Sequence, residues 1–363
     1  MPASEQSDAM VDLLSNLIRY PSLSHDEAEV AEFIADVLSH PRVQVDRVGD
    51  NVVARLGDGN KAFLMNSHLD VVPPSTDHPY PPFEPTIRDG RLYGRGSVDA
   101  KASVAAMVHT ILGLASDGWL PPEGHALVAA LTVCEEVGGI DNGLEQTRPH
   151  LPQLGAALIG EPTSLAPCIA QRGMLILEAT AHGRTAHAAR PHLGSNAVEM
   201  MARDVCRIAD RLFDRPHPLL GETIASVTIV EGGTAHNVIP DRCRFTIDVR
   251  LTPTYDVDEV IKIIGEAIES TFSVRSQRYI PVETDSQTAI VRAAVKATQS
   301  KPFGSATASD WIYVRDIPTV KIGPGDSNLS HTAEESIEVA ELAHAPTVYR
   351  NIITSYYDTI TDE

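Results

Sequence analysis

The sequence predicts an α/β fold in which a mostly parallel sheet is covered by helices, with a second α+β domain inserted into the first. In both terminal parts of the chain, short apolar runs alternate with helical patterns, which is typical of a parallel sheet buried on both faces. Between residues 177 and 291 the predicted order becomes β-α-β-β-α-β, the order of a ferredoxin-like unit. We therefore expect one domain from residues 1–176 and 292–363 and an inserted domain from residues 177–291.

The elements of the larger domain follow from periodicity and from the residues that start and stop helices. Apolar residues recur at helical spacing up to Pro21, and Ser24 with Glu27 predicts a capping box for a second helix. A hairpin is predicted around Gly49 and Asp50. The predicted segments are helices at 8–20, 27–40, 101–116 and 337–357 and strands at 43–48, 51–56, 61–72, 125–134, 155–160 and 317–323.

The inserted domain is predicted from six further segments. Apolar alternation indicates the strands, and apolar residues at helical spacing indicate the helices. The predicted strands are 175–183, 223–233, 242–251 and 274–282, and the predicted helices are 196–213 and 257–271.

Composition excludes several classes of partner. The formal net charge of -20 argues against nucleic acid, because a phosphate backbone attracts fields of Lys and Arg. The same charge disfavours an anionic membrane surface. The N-terminal segment lacks the basic and apolar regions of a secretory signal, and no apolar run approaches the length of a membrane span. None of the four cysteines forms a CxxC pair, so we interpret them as mostly buried free thiols of a cytoplasmic protein.

Metal-type side chains follow several of the predicted strands. In open α/β sheets, ligands bind outside the carboxyl ends of the strands, so residues at these positions are expected to meet. Carboxylates and imidazoles are ligands that zinc accepts, and their number exceeds the need of one mononuclear site. The sequence therefore predicts a hydrolase with two metals, and the candidate residues are His68, Asp70, Asp99, Glu135, Glu136, Glu161 and His331.

Each candidate also has an ordinary explanation when taken alone. Asp99 precedes a helix and fits an N-cap, and His331 fits a surface loop. Asp70 lies two residues after His68, so on a strand both side chains project from the same face and Asp70 could orient the ring. The adjacent acids at 135 and 136 fit a solvated loop, or a site where one binds metal and the other takes a proton from water.

Five motifs together resemble one family of enzymes. The segments NSHLDVVP, GRGSVDAK, CEEVGG, GEPTS and SHTAEE are similar to those of the dinuclear-zinc amidohydrolases and peptidases that include acetylornithine deacetylase, succinyl-diaminopimelate desuccinylase, aminoacylase and glutamate carboxypeptidase. The resemblance implies two zinc ions per subunit, with cobalt as a possible substitute. It implies that His68 and Glu161 bind one zinc, that Glu136 and His331 bind the other, and that Asp99 bridges both.

The same resemblance assigns roles near the metals. Glu135 would be the general base, and Asp70 would support His68. The peptide bond between Asp99 and Ala100 would be cis. Gly325, like Gly323 in the same loop, would let the backbone pass close to substrate and metal.

The inserted domain then resembles a lid and dimerisation domain, which implies a homodimer. His187 would reach the active site of the partner subunit and stabilise the oxyanion. Asn237 and Arg250 would hold the substrate carboxylate, for which the planar fork of arginine is suited. Without the resemblance, His187 fits an exposed loop, and Arg250 fits an ordinary ion pair on a sheet face.

The predicted function is hydrolysis of the amide bond of a small N-acyl amino acid by a zinc-activated water. Segments such as GEPTSLAPCIAQRGML and VTIVEGGTAHNVIPDRC are most similar to the acetylornithine deacetylase branch, which implies conversion of N-acetyl-L-ornithine to L-ornithine and acetate in arginine biosynthesis. The alternatives are a succinyl-diaminopimelate desuccinylase and a general aminoacylase or dipeptidase. A phosphoesterase with two metals and a non-catalytic metal-binding or interaction protein are alternatives from other classes.

Overall fold

The computed structural model describes residues 3–210 and 212–362. This part of the chain contains eight α-helices. Six helices were predicted from periodicity, and most of them begin and end within a few residues of the expected bounds. The helices are α1 (Ala3–Arg19), α2 (Ala28–Val37), α3 (Lys101–Ser116), α4 (Gly143–Thr147), α5 (Ala197–Ala209), α6 (Val257–Ala267), α7 (Ala289–Thr298) and α8 (Val339–Asp362).

The strands range from two to ten residues in length. They are β1 (Val43–Val48), β2 (Asn51–Leu56), β3 (Lys61–His68), β4 (Thr86–Arg88), β5 (Arg91–Tyr93), β6 (His125–Thr132), β7 (Gln153–Ile159), β8 (Cys168–Gln171), β9 (Gly173–His182), β10 (Ala186–His187), β11 (Ile224–Gly232), β12 (Val238–Ile239), β13 (Arg242–Leu251), β14 (Thr271–Tyr279), β15 (Val282–Glu283), β16 (Phe303–Ser305), β17 (Thr319–Lys321) and β18 (Ser336–Glu338).

The chain forms two compact units. The larger unit contains the described residues up to Ile169 together with 284–303 and 309–362, and the smaller unit contains the described residues of 170–283 together with 304–308. The chain therefore passes between units at 169/170, 283/284, 303/304 and 308/309. The sequence-based domain boundaries lie a few residues after the first two of these, at 176/177 and 291/292. The later boundary would divide α7, which belongs entirely to the larger unit.

The central strands of the larger unit are parallel. The strand order is β1-β2-β6-β3-β7-β17-β8, in which β6, β3, β7 and β17 run parallel and the pairs outside them are antiparallel. Seven consecutive residues of β3 and of β6 are buried, as expected for strands covered on both faces. The α/β fold class predicted from the sequence is confirmed.

A helical layer packs around α3, whose alanine-rich sequence allows close approach to its neighbours. α3 contacts β3, β6, α1 and α8, and α7 contacts α8. Aromatic packing at one end of the sheet joins β3 to α8, where the ring of Phe63 lies 5.1 Å from that of Tyr356. The hydroxyl of Tyr357 donates a hydrogen bond of 2.7 Å to the carbonyl of Ala126, so this buried phenol is satisfied. No helix of the described residues is long and apolar enough to cross a membrane.

The smaller unit has the predicted β-α-β-β-α-β order. Its antiparallel sheet is ordered β11-β13-β9-β14, and α5 packs on β9, β11 and β13 and against α6. Residues of β9 alternate between buried and partly buried, because one face of the sheet lies under the helices. The core includes Leu175, Leu177, Phe245, Ile247 and Ile264. This arrangement confirms the ferredoxin-like fold of the inserted segment.

The predicted capping box at the start of α2 is wrong. Glu27 occupies the N-cap position but makes no side-chain capping hydrogen bond. The hydroxyl of Ser24 instead donates to Asp70, and the carboxylate of Glu27 accepts from the backbone N–H of Cys134. Buried polar groups of the later loop require partners, and this requirement overrides the local capping pattern.

Very short strands were not predicted from the sequence. β4, β5 and β18 form a three-stranded antiparallel sheet in which each strand has only three residues. Ile337 and Glu338 belong to β18, so the final helix begins at Val339 rather than at 337. All four cysteines are free thiols, of which Cys206 is exposed and the others are buried.

Candidate metal centre

His68 is the last residue of β3, and its ring is fixed from one side. Nδ1 lies 2.9 Å from the backbone oxygen of Asp70, an acceptor that requires a proton on Nδ1. Nε2 then faces Asp99, 3.2 Å from Oδ1, and Glu161, 3.9 Å from Oε1. A histidine whose Nδ1–H is held by an oxygen is oriented to bind a cation through Nε2.

Two groups of side chains could each hold a metal ion. In each group, one nitrogen or oxygen atom from every residue lies within 4.8 Å of those of the other members. The first ligand set is His68, Asp99 and Glu161, and the second ligand set is Asp99, Glu136 and His331. Nε2 of His331 lies 3.0 Å from Oε1 of Glu136 and 3.4 Å from Oδ2 of Asp99. Asp99 thus presents one oxygen to each histidine.

The parallel strands bring these residues together from distant parts of the chain. Glu136 follows β6, Glu161 follows β7 and the His331 loop follows β17, so their strands end at the same edge of the sheet as β3. Asp99 arrives in the turn before α3, whose N-cap residue is Ala100 rather than Asp99. The peptide bond between these two residues is cis, as the resemblance implied.

Asp70 holds the loop that carries the two adjacent glutamates. Its Oδ1 accepts a hydrogen bond of 3.1 Å from the backbone N–H of Glu135, and its Oδ2 accepts one of 3.2 Å from that of Glu136. Ser24 donates to Oδ2 at 2.7 Å. Asp70 is buried, so these bonds replace the water that its charge would otherwise bind. The residue expected to support His68 thus also fixes the positions of Glu135 and Glu136.

The carboxylates of the two sets carry more negative charge than their surroundings balance. Burial and the charge of Asp99 raise the pKa of Glu161 to about 8. Burial and Asp99 also raise the pKa of Glu136, and burial with the charge of Glu161 raises the pKa of Glu135 well above its ordinary value. Neighbouring carboxylates repel one another in this way unless a cation lies between them.

The same negative charge raises the pKa of His331 and so favours its protonated form. Hydrogen bonds to Asp99 and Glu136 raise the pKa of His331 to about 10. Burial favours the neutral form of Asp99, yet hydrogen bonds with His331 and His68 hold its pKa well below the ordinary value. The cluster therefore attracts positive charge, and its imidazole and carboxylate donors fit a divalent cation such as zinc.

Two glycines of the loop after β17 pack against the segments that carry ligand residues. A β-carbon at residue 323 would lie 2.5 Å from the backbone oxygen of Glu161, which is too close for any other residue. Gly325 has φ +98, and a β-carbon there would lie 2.9 Å from Cγ1 of Val98. These glycines allow the loop after β17 to lie directly on the segments that carry Glu161 and Asp99.

The remaining predicted site residues lie in the smaller unit. His187 is exposed on β10, which pairs with β12, and its Nδ1 accepts a hydrogen bond from the N–H of Ala189. Asn237 lies beside it, since its carbonyl accepts from the N–H of Ala188 at 2.9 Å. Arg250 is the second-to-last residue of β13. Its Nε and Nη2 donate hydrogen bonds to Oδ1 and Oδ2 of Asp248, at 2.8 and 3.0 Å. The structure thus brings His187 and Asn237 together and gives Arg250 an acidic partner.

Several residues at the centre were missed by sequence reasoning. Asp310 is buried, accepts a hydrogen bond of 2.6 Å from Asn142, and has its pKa raised to about 6 by burial. Glu335 accepts hydrogen bonds from the backbone around Asp99 and pairs with Arg95. Arg95 and Glu335 lie inside motifs that were recognised, but the pairing between those motifs was not predicted. Asp310 lies in no motif and gave no signal.

Comparison with known proteins identifies one family, which the family model and the relatives below support. The family model described as peptidase family M20/M25/M40 matches residues 64–355. A succinyl-diaminopimelate desuccinylase of Roseobacter denitrificans is 31% identical, with 96% of this chain and 98% of that protein covered. A protein of the same name from Corynebacterium glutamicum is 29% identical over 94% of this chain and 95% of its own length.

Solved structures share the fold at lower identity. An aminopeptidase PepT from Bacillus cereus superposes with a TM-score of 0.78 at 21% identity, covering 96% of this chain and 98% of the other. A dinuclear metal binding peptidase of the M20 family from Bacillus subtilis superposes with a TM-score of 0.72 at 14% identity, covering 99% of each chain. At these identities the superpositions establish the fold alone.

Proposed function

Because the chain belongs to peptidase family M20/M25/M40 and is a metal-dependent hydrolase, we propose that it hydrolyses the amide bond of an N-acyl amino acid. The reaction would take place at a centre that holds two cations. The observation that carries the proposal is the pair of ligand sets that share Asp99. Glu135 lies beside these sets and belongs to neither of them. That arrangement supplies the parts that an amide hydrolase needs: a place for cations and a separate base.

The five ligand residues would divide between two cations. His68 and Glu161 would serve the first, Glu136 and His331 the second, and Asp99 both. When bound, the cations would supply Lewis-acid activation of water and of the scissile carbonyl group. We propose zinc as the native metal because it accepts this mixture of nitrogen and oxygen ligands, and cobalt as a substitute in vitro.

Glu135 is proposed as the general base. Its backbone is held by Asp70, so the carboxylate stays close to the ligand sets. Burial and the charge of Glu161 raise the pKa of Glu135 when the ligand sets hold no cation, and bound cations would lower it towards the range in which a glutamate is ionised and accepts a proton. Glu135 would take a proton from the attacking water and pass it to the nitrogen of the leaving amine.

Replacing Glu135 by glutamine tests this role. We expect Glu135→Gln to lower kcat by about 100-fold or more, the size of effect typical for loss of a positioned base, while the protein still binds as many cations as the wild type. Steady-state kinetics and metal analysis by atomic emission measure the two quantities. Glu145→Gln, which changes an exposed acid in α4, is the matched control and should leave kcat unchanged. Full activity of Glu135→Gln would remove Glu135 as the base.

The substrate proposal differs from the first sequence-based prediction. The relatives described above are succinyl-diaminopimelate desuccinylases, which supports that alternative better than N-acetyl-L-ornithine or a role in arginine biosynthesis. We propose an N-succinyl amino acid, with succinyl-diaminopimelate as the first candidate. Arg250 and Asn237 in the smaller unit and Gly325 in the larger are the proposed substrate contacts, and His187 the proposed stabiliser of the oxyanion. Arg250 would bind a carboxylate in exchange for Asp248.

A substrate panel separates the candidates. We expect a higher kcat/KM for succinyl-diaminopimelate than for N-acetyl-L-ornithine, N-acetyl-lysine or a dipeptide. Arg250→Ala should lower kcat/KM for the succinyl substrate by roughly 10-fold or more, the value of a hydrogen bond to a charged group. Arg242→Ala, an exposed arginine on the same strand, is the control. Faster hydrolysis of N-acetyl-L-ornithine would reverse the assignment of substrate without affecting the metal centre.

We also propose a homodimer formed through the smaller unit. β11 lies at the edge of the four-stranded sheet and exposes Ile224, Ile229 and Val230, each about half accessible. A long edge strand with apolar side chains favours pairing with another strand.

The mass of one chain is 39.1 kDa, so light scattering should give about twice that value for the proposed homodimer. A mass equal to one chain at assay concentrations would contradict the dimer.

A further inference from the structure

Arg95 and Glu335 form an ion pair inside the larger unit. Nη1 of Arg95 lies 2.6 Å from Oε2 of Glu335, and the side chains are 1% and 0% exposed. Because both charges have lost their water, such a pair stabilises a protein only when further hydrogen bonds satisfy it. Two of the remaining side-chain hydrogen bonds of this pair join the backbone of the proposed metal ligands Asp99 and His331. The others join the N–H of Val98 and the ring of His78.

Glu335 holds the turn that carries Asp99. Its Oε1 accepts hydrogen bonds of 3.0 Å from the N–H groups of both Val98 and Asp99. The backbone oxygen of Glu335 also accepts from the N–H of Gly94, at 3.3 Å, so the residue is attached to both ends of this turn. The direction in which Asp99 projects therefore depends on Glu335.

Arg95 makes the connection to His331. Its Nη2 donates a hydrogen bond of 3.4 Å to the backbone oxygen of His331. His331 lies in a half-exposed loop and adopts φ 64, a conformation that costs energy for a residue other than glycine. The bond from Arg95 is thus one of the restraints that keep the imidazole of His331 directed at Asp99 and Glu136.

The first ligand set depends less on this pair. His68 is held through Nδ1 by the backbone oxygen of Asp70, and the N–H of Glu161 is bonded to the carbonyl of Ile159. Among the described residues, the hydrogen bonds of Arg95 and Glu335 do not include His68 or Glu161. Asp99 and His331 of the second ligand set form backbone hydrogen bonds with the ion pair. The first ligand set is connected to the ion pair only through Asp99, which both sets share.

From this asymmetry we infer that Arg95 and Glu335 are positioning residues that set the affinity of the second ligand set for its cation. The inference rests on the proposed two-cation centre. The pair acts through the backbone of Asp99 and His331 and touches neither substrate nor cation. Partners of this kind typically change metal affinity by about 10- to 100-fold.

Glu335→Gln tests the inference on the full-length protein. Glutamine keeps an oxygen for the N–H groups of Val98 and Asp99 but removes the charge that holds Arg95. We expect the second zinc ion to bind about 10- to 100-fold more weakly, while the first remains bound after dialysis. Competitive zinc titration and metal content measure the difference in affinity between the two zinc ions, and circular dichroism checks the fold. Arg95→Lys, which keeps the positive charge but shortens its reach to His331, should give the same difference.

Glu338→Gln is the matched control. Glu338 of β18 pairs with Arg91 of β5 at 3.2 Å, a few residues from Glu335 and Arg95, but this ion pair is partly exposed and involves no proposed metal ligand. Two tight zinc ions in both Glu335→Gln and Arg95→Lys would overturn the inference, as would equal weakening of both zinc ions. A wild-type protein that binds no zinc would overturn the proposed function, and this inference with it.

Discussion

Repulsion among buried carboxylates is the constraint on which the rest of this structure depends. Asp99 lies between two imidazoles, with Glu161 near His68 and Glu136 near His331, and burial removes the water that would otherwise screen these charges. A folded chain can hold such a cluster only if protons or cations offset the negative charge, and hydrogen bonds to Asp99 and Glu136 accordingly raise the pKa of His331 to about 10. Two divalent cations would meet the same requirement at neutral pH with the histidines deprotonated.

The fold meets this constraint by fixing backbone rather than side chains alone. Parallel strands deliver His68, Glu136 and Glu161 to one edge of the sheet, and buried acids then hold the loops that follow. Asp70 binds the backbone of the Glu135–Glu136 loop, and Glu335 binds the backbone of the Asp99 turn. Each supporting carboxylate is itself satisfied by hydrogen bonds, so the ligands keep their positions without direct support from solvent.

The sequence predicts the elements with strong periodicity and the residues with unusual chemistry. α3 and β13 have the predicted bounds, and the seven acids and histidines named from strand ends all lie at the candidate centre. Pairing between distant segments was not predicted, because hydrogen-bond partners depend on tertiary packing. For that reason Ser24 was interpreted as a helix cap and Arg95 was given no role, although both support the centre. Selectivity for the acyl group depends on side-chain contacts that one sequence does not specify, and the relatives favour a different substrate from the one first predicted.

The central claim is that Asp99 is shared by two cation sites, and metal stoichiometry tests it most directly. Metal-free protein titrated with zinc should bind two ions per chain, with Asp99→Ala weakening both and Glu161→Gln weakening only one. Calorimetric titration with atomic emission analysis of the dialysed protein gives both numbers. A single zinc ion per chain, or two whose binding is unaffected by Asp99→Ala, would contradict the account.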